Sequence, residues 1–131
     1  MAIYGIGANW DGYDMTDDFI SNNQIEIGWS KSDAEDLYNL LASFKVGDIV
    51  FIKSNQPGSL DVTVKAIGIV CKSVINSNQN QNQNTVGVIW KNKDPFKLQI
   101  PTNTGKLTNI RAATIYEEFH PYVQNEIIKR L

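Results

Sequence analysis

The 131-residue sequence holds a single cysteine and a single histidine. Cys71 has no partner for an internal disulfide, which fits a reducing compartment. One histidine and one cysteine cannot supply a zinc set of the usual spacing. Cys71 falls in an apolar stretch and reads as core rather than as a nucleophile. His120 stands beside Pro121 at a helix start, where a capping or solvent-facing role is expected. No apolar run reaches the roughly 18 residues of a membrane span. The opening Met-Ala-Ile-Tyr-Gly-Ile-Gly has no positive n-region and does not read as a secretion signal. Gly5-x-Gly7 lacks the third glycine and the following helix of a phosphate-cradling loop. The expectation is a cytoplasmic, non-enzymatic protein with no catalytic residues, no cofactor, no metal and no membrane partner.

What is present suits one globular domain over residues 1–131. The chain is 42% hydrophobic and 20% charged, values typical of a folded domain. At this size it can bury about two-thirds of its unfolded surface. Net charge is −2, but it is unevenly spread. Residues 1–44 hold eight acidic residues and only Lys31 as a basic one, whereas residues 45–111 hold nine basic and three acidic residues. A sequence-independent DNA binder is usually basic overall. Any nucleic-acid contact is therefore expected to be local and centred on the middle segment. Equally, the two segments can pack together and neutralise each other.

The local pattern predicts a strand over residues 2–8, with Gly5 and Gly7 marking a bulge or a close backbone approach. Residues 9–14, Asn-Trp-Asp-Gly-Tyr-Asp, read as a loop. Thr16 is placed to cap a short helix through Asn22. Residues 24–29 alternate as a strand, with Ile25, Ile27 and Trp29 on one face. Ser32-Asp33-Ala34-Glu35 has the form of a capping box. Ala34, Leu37, Tyr38 and Leu41 then give one apolar face to a helix over residues 33–43. Lys45-Val46-Gly47-Asp48 makes a turn, and the unbroken apolar run after it predicts a strand buried on both faces. A long strand over residues 60–73, bent at Gly68, is followed by a run of Asn, Ser and Gln that reads as a mobile hairpin loop over 76–84. Strands over 85–91 and 96–100, an irregular stretch over 107–114 and a C-terminal helix starting near Tyr116 or Pro121 complete the chain. The class is α+β, a small curved barrel of antiparallel or mixed strands with flanking helices.

The stretch Lys45-Val46-Gly47-Asp48-Ile49-Val50-Phe51-Ile52-Lys53-Ser54, followed by Ala66-Ile67-Gly68-Ile69-Val70, resembles the PUA-like superfamily and its EVE branch. In those domains a Gly-Asp turn starts a core strand beside a glycine-bearing one. The later Val-Gly-Val-Ile-Trp-Lys-Asn (residues 86–92) and Thr-Asn-Ile-Arg (108–111) resemble the downstream half of the related YTH domains. The likeness spans residues 2–115. It implies a small barrel whose pocket holds one flipped base, often modified, and hence a partner in DNA or RNA carrying a modified base. The acidic front and the Asn/Gln insertion depart from the pattern, and no full aromatic-cage motif is visible.

The candidate base-binding residues follow from that implication and from chemistry. An aromatic face stacked on a base contributes roughly 1–3 kcal/mol. Flipping a base costs a few kcal/mol, so polar contacts to its edge must contribute as well. Trp29 matches a cage tryptophan at a strand end in YTH-like domains. Trp10 and Tyr13 lie in a polar loop, and Asn9 beside them offers an amide to a base edge. Trp29 and Trp10 can equally be core, and Trp90, amid Val and Ile, reads as a barrel wall. Lys53, Ser54 and Arg111 are candidates for the nucleic-acid backbone, where a contact fixes register without specifying sequence. Alternatively, Lys53 is solvated, and Arg111 pairs with Asp48 or a C-terminal glutamate. Two other functions stay open. The acidic front could meet a basic protein partner. Asp11, Asp14, Asp17 and Asp18 could hold a metal for hydrolysis, although they lack EF-hand spacing and read as a solvated acidic face.

Overall fold

The computed structural model describes residues 1–29, 32–55, 61–76, 84–101 and 113–131. Strand β1 (Ile3–Gly7) opens the fold. It pairs in parallel with β5 (Ile49–Asn55), which is followed by the long β6 (Val62–Asn76) and β7 (Asn84–Asn92). The sheet order is β4-β7-β6-β5-β1-β9, where β4 is Gln24–Glu26 and β9 is Ile115–Glu117. A short β8 (Phe96–Leu98) pairs with the first part of β6. Apart from β1 and β5, the neighbours are antiparallel. The result is an α+β domain built on a curled mixed sheet that forms a half-barrel.

The apolar run of β5 is explained by cores on both faces of the sheet. Val50 and Ile52 enter one core, with Tyr4 and Ile6 of β1. Ile49 and Phe51 enter the other, with Ile3 and Tyr116. Phe19 from helix α1 (Thr16–Asn22) and Tyr38 and Leu41 from helix α2 (Glu35–Ala42) join the first core. Val123 and Ile127 from helix α3 (Pro121–Ile128) join the second.

Strand β6 serves both cores by changing face. Val62 and Val64 point into the second core, and Ala66 and Val70 into the first. The switch coincides with a bulge, because Ile52 pairs with Ala66 while Lys53 pairs with Val64, and Lys65 is left between them. An extra residue reverses the alternation of everything after it. A further register irregularity in the pairing with β7 falls between Ile67 and Gly68. At another, between Val70 and Lys72, Cys71 turns to solvent. The sequence reading placed Cys71 in the core; it is exposed, on the face of β6 opposite to buried Val70.

The Gly-Asp turn is a tether as well as a turn. The Asp48 carboxylate accepts from the Ala2 N–H at 3.0 Å and from the Lys45 N–H at 2.9 Å. Asp48 is buried, so these charge-assisted bonds fix the start of β1 to the start of β5.

Several local expectations change. Residues 9–14 form a hairpin, β2 (Asn9–Trp10) with β3 (Tyr13–Asp14), instead of an open loop. Asp11 and Gly12 both have positive φ, 51° and 89°, as a type I′ turn requires. Helix α1 is entered through Asp14, whose carboxylate accepts from the Thr16 N–H and hydroxyl at 2.9 and 2.6 Å, so Thr16 is not the cap. The N-cap of α2 is Ala34, two residues beyond the serine of the expected box. Ile115–Glu117 is a strand, and the last helix starts at Pro121, with His120 capping it through Nδ1. The Asn/Gln run at 77–83 and the turn expected at 102–105 lie outside the described residues. No helix among the described residues is long and apolar enough to cross a membrane.

Candidate functional site

The alternation of β4 stops at Gly28. Ile25 and Ile27 are fully buried, whereas Trp29 is 55% exposed. The expectation that Trp29 continues their face is therefore not met, because the chain bends away at residues 28–29. Two contacts accompany the bend. A methyl group on Gly28 would lie only 2.7 Å from the Trp10 indole, so the bare Cα rests on that ring. Beyond it, the Trp29 carbonyl accepts a hydrogen bond from the Tyr38 hydroxyl at 2.5 Å.

Trp29 thus comes to line an open cleft of about 660 Å³. The first turn of α2 and its approach form another wall, through Asp33, Ala34, Glu35, Asp36 and Leu37. Ala113 and Thr114 complete the described lining. The Thr114 carbonyl accepts from the Gly7 N–H at 2.8 Å, so the cleft abuts the carboxyl end of β1. Crevices beyond the carboxyl ends of parallel strands are recurrent ligand sites. The volume lies within the roughly 300–1,000 Å³ range of small-molecule pockets.

The other candidate residues are distributed unequally. Trp10 is half-buried against the first core and meets Phe19 edge-on, with ring centroids 6.1 Å apart. Its Nε1 is buried and has no hydrogen-bond partner among the described residues. Tyr13 is 61% exposed on the hairpin and stands beside the Asp18 carboxylate, which raises its hydroxyl pKa. The Asn9 side chain is engaged locally, accepting from the Gly12 N–H at 2.8 Å within its own turn. Trp90 has the structural role read from its sequence context, its indole N–H donating to the Phe19 carbonyl at 3.0 Å.

Lys53 is only 7% exposed, with its ammonium 5.4 Å from the centre of the Tyr116 ring. Burial brings its pKa down from 10.5 to about 8. That placement removes it from the open surface where a phosphate contact was expected. Ser54, the next residue of β5, is exposed. Arg111 lies outside the described residues. The acidic front is partly used internally, since Asp14 pairs with Lys65 at 2.8 Å. Burial raises the Asp14 pKa, but hydrogen bonds from Lys65 and Thr16 outweigh this and hold it at about 2. No group of three or more His, Cys, Asp or Glu among the described residues is placed to hold a metal ion.

Sequence reasoning missed Gly28, Tyr38, Thr114 and the carboxylates of the α2 approach. A signal for the last was available, because Asp33, Glu35 and Asp36 follow Trp29 within seven residues. Thr114 could not be found locally, since its place depends on β1, more than a hundred positions earlier.

Neither a protein-family model nor a curated protein matches the chain by sequence. A solved structure does share its fold. The X-ray structure of protein PSPTO5229 from Pseudomonas syringae superposes with a TM-score of 0.58, covering 99% of this chain and 100% of that one, at 12% identity. At that identity the likeness establishes the architecture alone, a curled sheet with flanking helices.

Proposed function

We propose that this chain is a PUA-like module of the EVE type that recognises a modified base of DNA or RNA in the Trp29 cleft. The observation that carries the reading is the half-exposed Trp29 indole in a cleft of about 660 Å³ beside the carboxyl end of a parallel strand pair. A large apolar ring left in water at a concave site is a stacking surface for a planar ligand. The same lining bears carboxylates, those of Asp33, Glu35 and Asp36, which accept hydrogen bonds and donate none. They suit the exocyclic amino group of a cytosine or adenine and repel phosphate. The ligand then enters base first, with its backbone outside the cleft. Trp29 is the stacking residue. Trp10 and Asn9 are engaged in the fold, and Tyr13 is left at the exposed hairpin.

The test is equilibrium binding of fluorescently labelled DNA and RNA oligonucleotides, unmodified or carrying 5-methylcytosine or N6-methyladenine. A modified oligonucleotide is expected to bind more tightly than its unmodified counterpart. Trp29→Ala is expected to weaken that binding by about 5- to 150-fold, the equivalent of one lost stack. Equal binding by the wild type and Trp29→Ala would overturn the assignment.

A further inference from the structure

The exposed indole of Trp29 is gripped through its main chain from two sides. On one side Gly28 lies against the Trp10 ring, close enough that even a methyl group would meet it at 2.7 Å. That ring is itself held, edge-on to buried Phe19 and within the short hairpin of β2 and β3. On the other side the buried Tyr38 donates its hydroxyl proton to the Trp29 carbonyl. Tyr38 belongs to α2, and the first turn of α2 lines the same cleft as Trp29. A single helix therefore supplies part of the lining and fixes the backbone that carries Trp29.

We infer that Trp10 and Tyr38 are positioning residues, which hold Trp29 as a pre-ordered platform at a set distance from α2 without themselves touching the ligand. The inference rests on the cleft being the base site. An irregular main chain left unheld here would let the Cα–Cβ direction of Trp29 wander, and ordering it on binding would cost affinity. Holding it in advance is what a site built for one flat ligand requires. The inference also gives Trp10 a role that its half-buried indole can perform, in place of the direct base contact expected from the sequence. Gly28 becomes specific for the same reason, since any side chain there would push the indole and the platform apart.

The experiment is fluorine NMR of the full chain labelled with 5-fluorotryptophan, with the three signals assigned by single Trp→Phe variants. The wild type is expected to show a narrow Trp29 line displaced from that of the free amino acid. Tyr38→Phe, which removes only the hydroxyl, is expected to broaden that line and move it toward the free value. Trp10→Leu, which removes the ring from Gly28, is expected to do the same. The Trp90 line and the melting temperature report the fold, and the former should keep its place in Tyr38→Phe. Binding of the preferred modified oligonucleotide should fall about tenfold in Tyr38→Phe. A Trp29 line identical to wild type in folded Tyr38→Phe and Trp10→Leu would overturn the inference. If no oligonucleotide binds any variant while the Trp29 line still responds to Tyr38→Phe, the base reading fails and the positioning stands. Should Trp10→Leu not fold, Tyr38→Phe decides the matter alone.

Discussion

The Tyr38 hydroxyl donates a 2.5 Å hydrogen bond to the main-chain carbonyl of Trp29. The donor is almost wholly buried, and the residue it holds is half in water. A core residue thus sets the direction of a surface aromatic. This relationship separates Trp29 from Ile25 and Ile27, with which it shares a sequence period, and turns it toward the cleft.

Asp48 is expected to be a major stability determinant. Asp48→Ala leaves the N–H groups of Ala2 and Lys45 without their acceptor. The cost should be about 3 kcal/mol, read as a shift in the urea midpoint. Asp48→Asn retains one acceptor oxygen and should lose less. A midpoint unchanged in Asp48→Ala would refute the tether.

The entry to α1 should be acid-sensitive. The folded pKa of Asp14 is depressed from 3.8 to about 2, so its stabilisation is present above the ordinary value and is lost as pH falls through about 2. Asp14→Asn mimics the protonated state. At pH 5 it should be less stable than wild type by about 1 kcal/mol, because the ion pair with Lys65 is lost. The gap should close as pH approaches 2 in parallel urea titrations. A gap independent of pH would contradict the assignment.

Buried Lys53 should act in the opposite pH range. Its folded pKa is about 8 against an ordinary 10.5, so between those values the unfolded chain binds the extra proton. Stability due to this group therefore rises with pH across that window. Tyr4 and Tyr38, whose pKa values burial raises, oppose this only near and above pH 10, where the unfolded tyrosines ionise first. From about pH 7.5 to 9.5 the wild type should gain stability relative to Lys53→Met. Parallel curves for the two proteins would show that Lys53 is not buried as described.

Much of the fold could be read locally. The run from Ile49 to Lys53 announced a strand covered on both faces, and the spacing of Tyr38 and Leu41 gave the buried face of α2. Asp11-Gly12 is a strong hairpin signal, present in the sequence and passed over as a loop. What escaped was set at a distance. Strand β9 is three residues long and exists because it pairs with Tyr4, Gly5 and Ile6. The reversal of β6 at Lys65 comes from a bulge, and Lys65 there reaches Asp14 across 51 positions. The outward turn of Trp29 depends on Trp10 lying beneath Gly28, a contact that no periodicity encodes. The site was legible in its central aromatic residue and illegible in its walls.

The most direct test of the central claim follows the Trp29 fluorine signal in 5-fluorotryptophan-labelled protein during titration with matched modified and unmodified oligonucleotides. A modified base is predicted to move the Trp29 line and saturate below about 100 μM, leaving Trp90 in place and having no counterpart in Trp29→Ala. A Trp29 line unmoved by every oligonucleotide at that concentration would contradict base recognition in this cleft.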